Sequence, residues 1–211
     1  MSGTPSVELV TTDGVFAYDG GEWEVTNNIW LVGDDREVVV VDAAHDHRPI
    51  VEAVAGRRVA AIACTHAHND HVNAAVALAE AVDAPVLLHP DDRVLWDVVH
   101  PGRAPDADLA HGGRIAVAGT ALHVLHTPGH SPGGCCFHLL EAGRVFSGDT
   151  LFCGGPGATG RTLSDFPTIV RCIRERLLTL PPETVVHTGH GETTTIGSEA
   201  PDLEEWLRRG H

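Results

Sequence analysis

The sequence predicts an α+β fold in which two mixed β-sheets pack face to face with helices outside. Strands are grouped in each half of the chain and helical patterns follow them, which suits sheets that each bury one face. Short apolar runs such as Val59-Ala60-Ala61-Ile62-Ala63-Cys64 read as buried strands. No linker, low-complexity segment or convincing repeat divides the 211 residues, so residues 1–211 are expected to form a single domain.

Taken in order, residues 7–10 and 15–18 read as a hairpin turning at Asp13-Gly14. Strands at 28–32 and 37–42 follow, separated by the turn Gly33-Asp34-Asp35, and a short helical pattern covers 49–55. The apolar run 59–64 leads into Thr65, and a helix is expected from about His71 to Ala81, ended near Asp83-Ala84-Pro85. A strand at 85–89, a helix at 91–99 and a loop at 101–106 close the first half. Strands restart at 114–117, 121–125, 135–139 and 143–147, and a Gly-rich loop spans 154–160. A helix at 167–178, a last strand at 184–186 and a terminal helix at 201–209 complete the series.

Composition narrows the function. Hydrophobic residues make up 43% of the chain, enough for a sizeable core. No stretch approaches the ~20 apolar residues of a membrane-spanning helix, and Met1-Ser2-Gly3-Thr4-Pro5 lacks the pattern of a secretory signal. Five cysteines, odd in number and with Cys135 and Cys136 adjacent, argue against a disulfide framework and for a reducing, cytoplasmic setting. The net charge is −15, and every cation is Arg. Nucleic-acid binding needs a basic footprint, and membrane association a polybasic or amphipathic segment; neither is visible. The expected partner is therefore a small molecule, with the chain as a monomer or homodimer.

His66-Ala67-His68-Asn69-Asp70-His71 is the most informative stretch. Side chains alternate along an extended chain, so His66 and His68 point to the same side. Asp70 and His71 come where the backbone turns into a helix and approach from another direction, which makes two ligand pairs. Chance occurrence of such a pattern is roughly 0.5% for a chain of this composition. Three more strand ends carry similar residues. His130 sits at the apex of the tight turn Thr127-Pro128-Gly129-His130-Ser131-Pro132-Gly133, which pre-orients its imidazole. Asp149 closes the apolar strand before Gly148-Asp149-Thr150-Leu151-Phe152, where an unpaired carboxylate is costly. His190 lies in Thr188-Gly189-His190-Gly191. Each alone reads as a turn residue or a cap; together, four strand ends presenting His or Asp point to a shared metal site.

These motifs resemble, in order and spacing, those of the metallo-β-lactamase superfamily, and the resemblance covers essentially the whole chain. Gly148-Asp149-Thr150-Leu151-Phe152 and the Gly-rich stretch to Gly160-Arg161-Thr162 are similar to the glyoxalase II (hydroxyacylglutathione hydrolase) branch. The resemblance implies a four-layer αββα sandwich and two divalent ions, zinc first, with iron or manganese as alternatives. His66, His68 and His130 would hold one ion, Asp70, His71 and His190 the other, and Asp149 would bridge them; Asp70 is also the expected catalytic residue. Only 21 residues follow His190 (211 − 190), so the C-terminal helical domain through which full-length glyoxalase II binds glutathione is not expected.

The implied chemistry is hydrolysis by a metal-bridging hydroxide, since coordination lowers the pKa of water towards ~7. A thioester suits it, because a thiol of pKa ~8.5 departs without a positioned acid. The expected substrate is a small acyl-thiol. The alternatives are a mononuclear iron persulfide dioxygenase using His66, His130 and Asp149, or lactone or phosphodiester hydrolysis on the same metals. Asp42 reads equally as an acceptor behind a ligand His or as a strand-end cap. Arg161 reads as a contact for an anionic group or as a solvated loop residue. Cys153 reads as a small buried hydrophobe near the pocket, and Cys64 as core. Of the other histidines, His45 and His47 could line the mouth and most of the rest are expected at the surface.

Overall fold

The computed structural model describes residues 5–210. Residues 1–4, read above for a secretory signal, and His211, expected at the surface, lie outside them.

Two long strands open the chain. β1 (Ser6–Tyr18) pairs antiparallel with β2 (Gly21–Gly33) along its whole length. The expected turn at Asp13-Gly14 is thus overturned: the chain turns at Asp19-Gly20, where both residues take positive φ (50° and 77°) as a tight two-residue hairpin requires. Gly14 serves another purpose, since a Cβ there would lie 2.1 Å from His45 Nδ1. β3 (Glu37–Val41) pairs with β2, and α1 (His47–Val54) leads to β4 (Arg58–Ala63). The helix expected at 71–81 is two pieces, α2 (Asn69–Val72) and α3 (Ala75–Val82). Ala74 N–H donates to the Ala43 carbonyl (3.1 Å) rather than back along a helix, so the loop after β3 splits the helical run.

β5 (Val86–Leu88), α4 (Arg93–Val99) and β6 (Ala107–Asp108) complete a mixed sheet in the order β1-β2-β3-β4-β5-β6. β7 (Arg114–Val117), β8 (Thr120–His126), β9 (Cys135–Leu139) and β10 (Arg144–Gly148) begin the second sheet. A small ribbon follows, β11 (Leu151–Phe152) with β12 (Gly155–Pro156), and then α5 (Phe166–Cys172), which continues through a wider turn over residues Ile173–Leu177. β13 (Val185–Thr188) and β14 (Thr194–Thr195) complete that sheet in the order β14-β13-β10-β9-β8-β7, with β10 and β13 parallel. α6 (Ile196–Glu199) and α7 (Leu203–Arg209) end the described chain.

Strand alternation sorts the core into layers. Val38 and Val40 of β3 face Ile50, Leu78 and Trp96 on the first helical layer. Val39 and Val41 face Phe137, Leu139 and Phe146 across the two sheets. Val145 and Val186 on the far side of the second sheet pack on Ile169, Ile173 and Trp206. The result is the expected four-layer αββα sandwich. No helix among the described residues is long and apolar enough to cross a membrane.

Candidate metal centre

All seven side chains expected at the centre converge at one edge of the sandwich. Three overlapping sets have ligand atoms within 4.8 Å of one another: His66, His68 and His130; His66, His71 and Asp149; Asp70, His71 and His190. The loop after β4 supplies His66 and His68, α2 supplies Asp70 and His71, the turn after β8 supplies His130, the end of β10 supplies Asp149 and the end of β13 supplies His190. Asp149 stands between the two triads. Its Oδ1 is 3.3 Å from His71 Nε2, and its Oδ2 is 3.6 Å from both His130 Nε2 and His190 Nε2.

The donor set fits metal ions. His66 Nε2, Asp70 Oδ1 and Asp149 Oδ1 are buried and have no hydrogen-bond partner, an expensive state unless a cation meets them. Facing donor atoms such as His68 Nδ1 and His130 Nε2 (2.9 Å) or Asp70 Oδ2 and His190 Nε2 (3.3 Å) are spaced near the ~3.4 Å that separates ligands around a tetrahedral ion with bonds of ~2.0–2.1 Å. His71 is fully buried, whereas His190 retains 25% side-chain exposure, so the cluster opens on the side of His190.

The outer ring nitrogens are held by the protein. His71 Nδ1 donates to Asp42 Oδ2 (2.9 Å), His130 Nδ1 to the Ala158 carbonyl (2.8 Å) and His190 Nδ1 to the Thr26 carbonyl (2.8 Å). His66 Nδ1 meets Thr65 Oγ1 (3.1 Å), which itself donates to Asp42 Oδ2 (2.8 Å). Asp42 therefore stands behind both triads. It also accepts from Thr65 N–H (2.7 Å), so both readings of this residue hold, the acceptor and the strand-end cap.

Charge divides the two triads. Burial and the neighbouring imidazoles push His66 well below the usual histidine range and His68 down to about 3. In the second triad burial works against protonation, yet Asp149 and Asp70 hold His71 well above its ordinary value and His190 up to about 10. Burial likewise opposes ionisation of Asp149, but the imidazoles of His71 and His190 hold its carboxyl well below the usual carboxylate range.

Sequence reasoning missed two supporting residues. Asn27 on β2 donates from Nδ2 to Asp70 Oδ2 (3.2 Å), and its Oδ1 accepts from His45 Nε2 (2.8 Å). The signal was a pair of amides, Asn27-Asn28, inside a strand whose following residues are all apolar. Asp92 is buried behind the first triad. It accepts from Ala67 N–H and Ser131 Oγ (both 2.8 Å) and from Gly133 N–H, tying the His66–His68 loop to the His130 turn.

The remaining candidates fare unevenly. His45 lies behind Asn27, and His47 begins α1. Cys153 is exposed rather than buried, because it falls in the open turn between β11 and β12. Cys64 is buried as expected. His89, His138 and His187 are buried, against the expectation of surface histidines, and His187 packs on Trp30 at 4.4 Å and Phe146 at 4.9 Å between ring centroids. The Arg161 guanidinium lies over the rings of Phe16 (4.8 Å) and Trp23 (4.3 Å), and Tyr18 packs on His68 (4.8 Å), so the β1–β2 tip forms one wall of the centre.

A face-to-face pair of mixed sheets with a His/Asp cluster at one edge defines a class of metal-binding αββα proteins. The chain belongs to the metallo-beta-lactamase superfamily, whose pattern matches residues 23–190. It is 32% identical to the probable metallo-hydrolase YqgX of Bacillus subtilis (strain 168), over 82% of this chain and 88% of that protein. It is 29% identical to the hydroxyacylglutathione hydrolase GloC of Haemophilus influenzae (strain ATCC 51907 / DSM 11121 / KW20 / Rd), over 81% of this chain and 87% of that protein. Among solved structures, TTHA1623 in a di-iron-bound form superposes with a TM-score of 0.75 at 37% identity, covering 83% of this chain and 93% of that one.

Proposed function

We propose that this protein is a dinuclear thioester hydrolase of the hydroxyacylglutathione hydrolase type, acting on a small acyl-thiol. The observation that carries the reading is the second triad. Asp70, His71 and His190 converge as closely as His66, His68 and His130 do, with Asp149 facing both sets. A mononuclear centre would leave Asp70 Oδ1 and its buried neighbours without a purpose. In this reading His66, His68 and His130 hold one ion, Asp70, His71 and His190 the other, and Asp149 lies between them. Two bound divalent ions would supply Lewis acidity to a substrate carbonyl and lower the pKa of water towards ~7.

The chain's own residues do the rest. Asp42 fixes the ring of His71 directly and that of His66 through Thr65, Asn27 orients Asp70, and Asp92 holds the His130 turn. Asp70, the one carboxylate of the second triad, is the residue on which hydrolysis should depend most. Arg161, stacked on Phe16 and Trp23, offers a guanidinium at the rim to an anionic group of the thiol carrier. A leaving thiol of pKa ~8.5 departs as thiolate, so no side chain is needed as a general acid, whereas an amide would need one. The likeness to GloC supports the thioester class, and the likeness to the di-iron protein supports a dinuclear centre. Metal analysis with a panel of S-lactoyl and S-formyl thioesters of several small thiols tests the proposal. Two ions per chain with thioester turnover are expected. A single iron with oxygen uptake, or no turnover of any thioester, would overturn it.

A further inference from the structure

We propose that His89, Asp91 and His126 form a separate site for a borderline transition-metal cation of the Zn2+ class. The three residues share no ligand with the centre described above, yet their donor atoms also lie within 4.8 Å of one another. Asp91 Oδ2 is 3.7 Å from His89 Nδ1 and 4.0 Å from His126 Nε2. Ligands around a tetrahedral ion stand ~3.4 Å apart, so Asp91, at 57% side-chain exposure, needs only a small torsional movement, and the larger movement falls to His126.

Backbone structure places the three together. His89 ends the β5 strand and caps the turn Pro90–Asp92, accepting at Nδ1 from Asp91 N–H (3.3 Å). That bond places the lone pair on Nδ1 with the Asp91 carboxylate beside it, and an incoming ion takes the place of the Asp91 N–H on that lone pair. Two acceptors side by side repel unless a proton or a cation lies between them. His126 is the last residue of β8, and its ring stacks on His89 with centroids 3.9 Å apart at 11°. For His126 to coordinate, its ring must rotate out of this stack and its Nε2 must release the Pro132 carbonyl (3.0 Å). Two imidazoles and one carboxylate suit Zn2+, Co2+, Ni2+ or Cu2+ rather than Mg2+ or Ca2+. The exposed edge at Asp91 leaves room for water to complete the coordination, so the site should exchange its ion readily.

The test uses the full chain with its main centre loaded, dialysed against a weakly chelating buffer at fixed free Zn2+, with bound zinc counted by mass spectrometry. Wild type is expected to hold one equivalent more than the Asp91→Asn and His126→Gln variants. Asp91 is exposed and His126 partly so, and circular dichroism checks the fold of both variants. Imidazole nitrogen NMR should show His89 and His126 shifting together as the extra equivalent binds, with the shifts absent in Asp91→Asn. Equal zinc content in wild type and both variants, or unshifted His89 and His126 resonances, would overturn the proposal. A main centre holding one ion instead of two would lower all three totals equally, so failure of the dinuclear reading is distinguishable.

Discussion

Four imidazoles of the centre each give one nitrogen to the protein and keep the other for the cluster. His66, His71, His130 and His190 are held at Nδ1 by Thr65, Asp42, Ala158 and Thr26 respectively, which fixes ring orientation before any ion arrives. Partners of this kind are typically worth about 10–100-fold in metal affinity. Asn27 does the same for a carboxylate, and only on the second triad: Nδ2 reaches Asp70 Oδ2 and lies 3.5 Å from His190 Nε2. Asn27→Ala is therefore expected to weaken the second ion by about 10-fold or more while leaving the first nearly unchanged. Competition titrations that resolve two binding events check this, and an equal loss at both would show that the substitution acts through the fold instead.

At the scale of elements, the site is a set of strand ends, and glycine lets them approach. A Cβ on Gly189 would lie 2.3 Å from Asp149 Oδ1 and 2.8 Å from His71 Cε1, so both ligand side chains would have to shift. Gly191, two residues on, has φ +68° but open space around it. Gly189→Ala should therefore abolish the second ion with the fold intact, whereas Gly191→Ala should cost about 1–2 kcal/mol of stability and keep both ions. Metal content and urea midpoints of the two variants separate crowding from backbone strain. Strand ends were legible because an apolar run that stops at His or Asp announces both the strand and its edge. The first hairpin was not, because Asp13-Gly14 has the local chemistry of a turn while Gly14 is needed to admit the ring of His45. The break between α2 and α3 was equally hidden: it depends on Ala43, a residue distant in sequence, taking the Ala74 amide. Asp92 was invisible for a related reason, since an acidic residue after His89-Pro90 reads as an ordinary helix cap.

Across the whole molecule, protons and metal ions compete for the same nitrogens, and the two triads start from opposite states. In the metal-free protein His66 and His68 are neutral near pH 7, so an ion entering the first triad displaces no proton from them. His71 and His190 are both biased towards the protonated form, held by Asp149 and Asp70 against the effect of burial. An ion entering the second triad must displace whatever proton the pair holds, so its apparent affinity should rise by up to about tenfold per pH unit for each proton released. Folding stability moves the opposite way in the metal-free chain. The folded value of His190, about 10, lies above its unfolded value. Its contribution is therefore complete below about pH 6.5 and is lost as pH rises through its folded value. Metal-bound protein gains from the same rise, because ligand binding stabilises the folded state in proportion to the logarithm of affinity. The gap in melting temperature between metal-loaded and chelator-treated protein should then widen from about pH 7 to about pH 9. Calorimetry at the two values tests this. A gap that stays constant would mean that the second triad binds no ion, or that His71 and His190 carry no proton for an ion to displace.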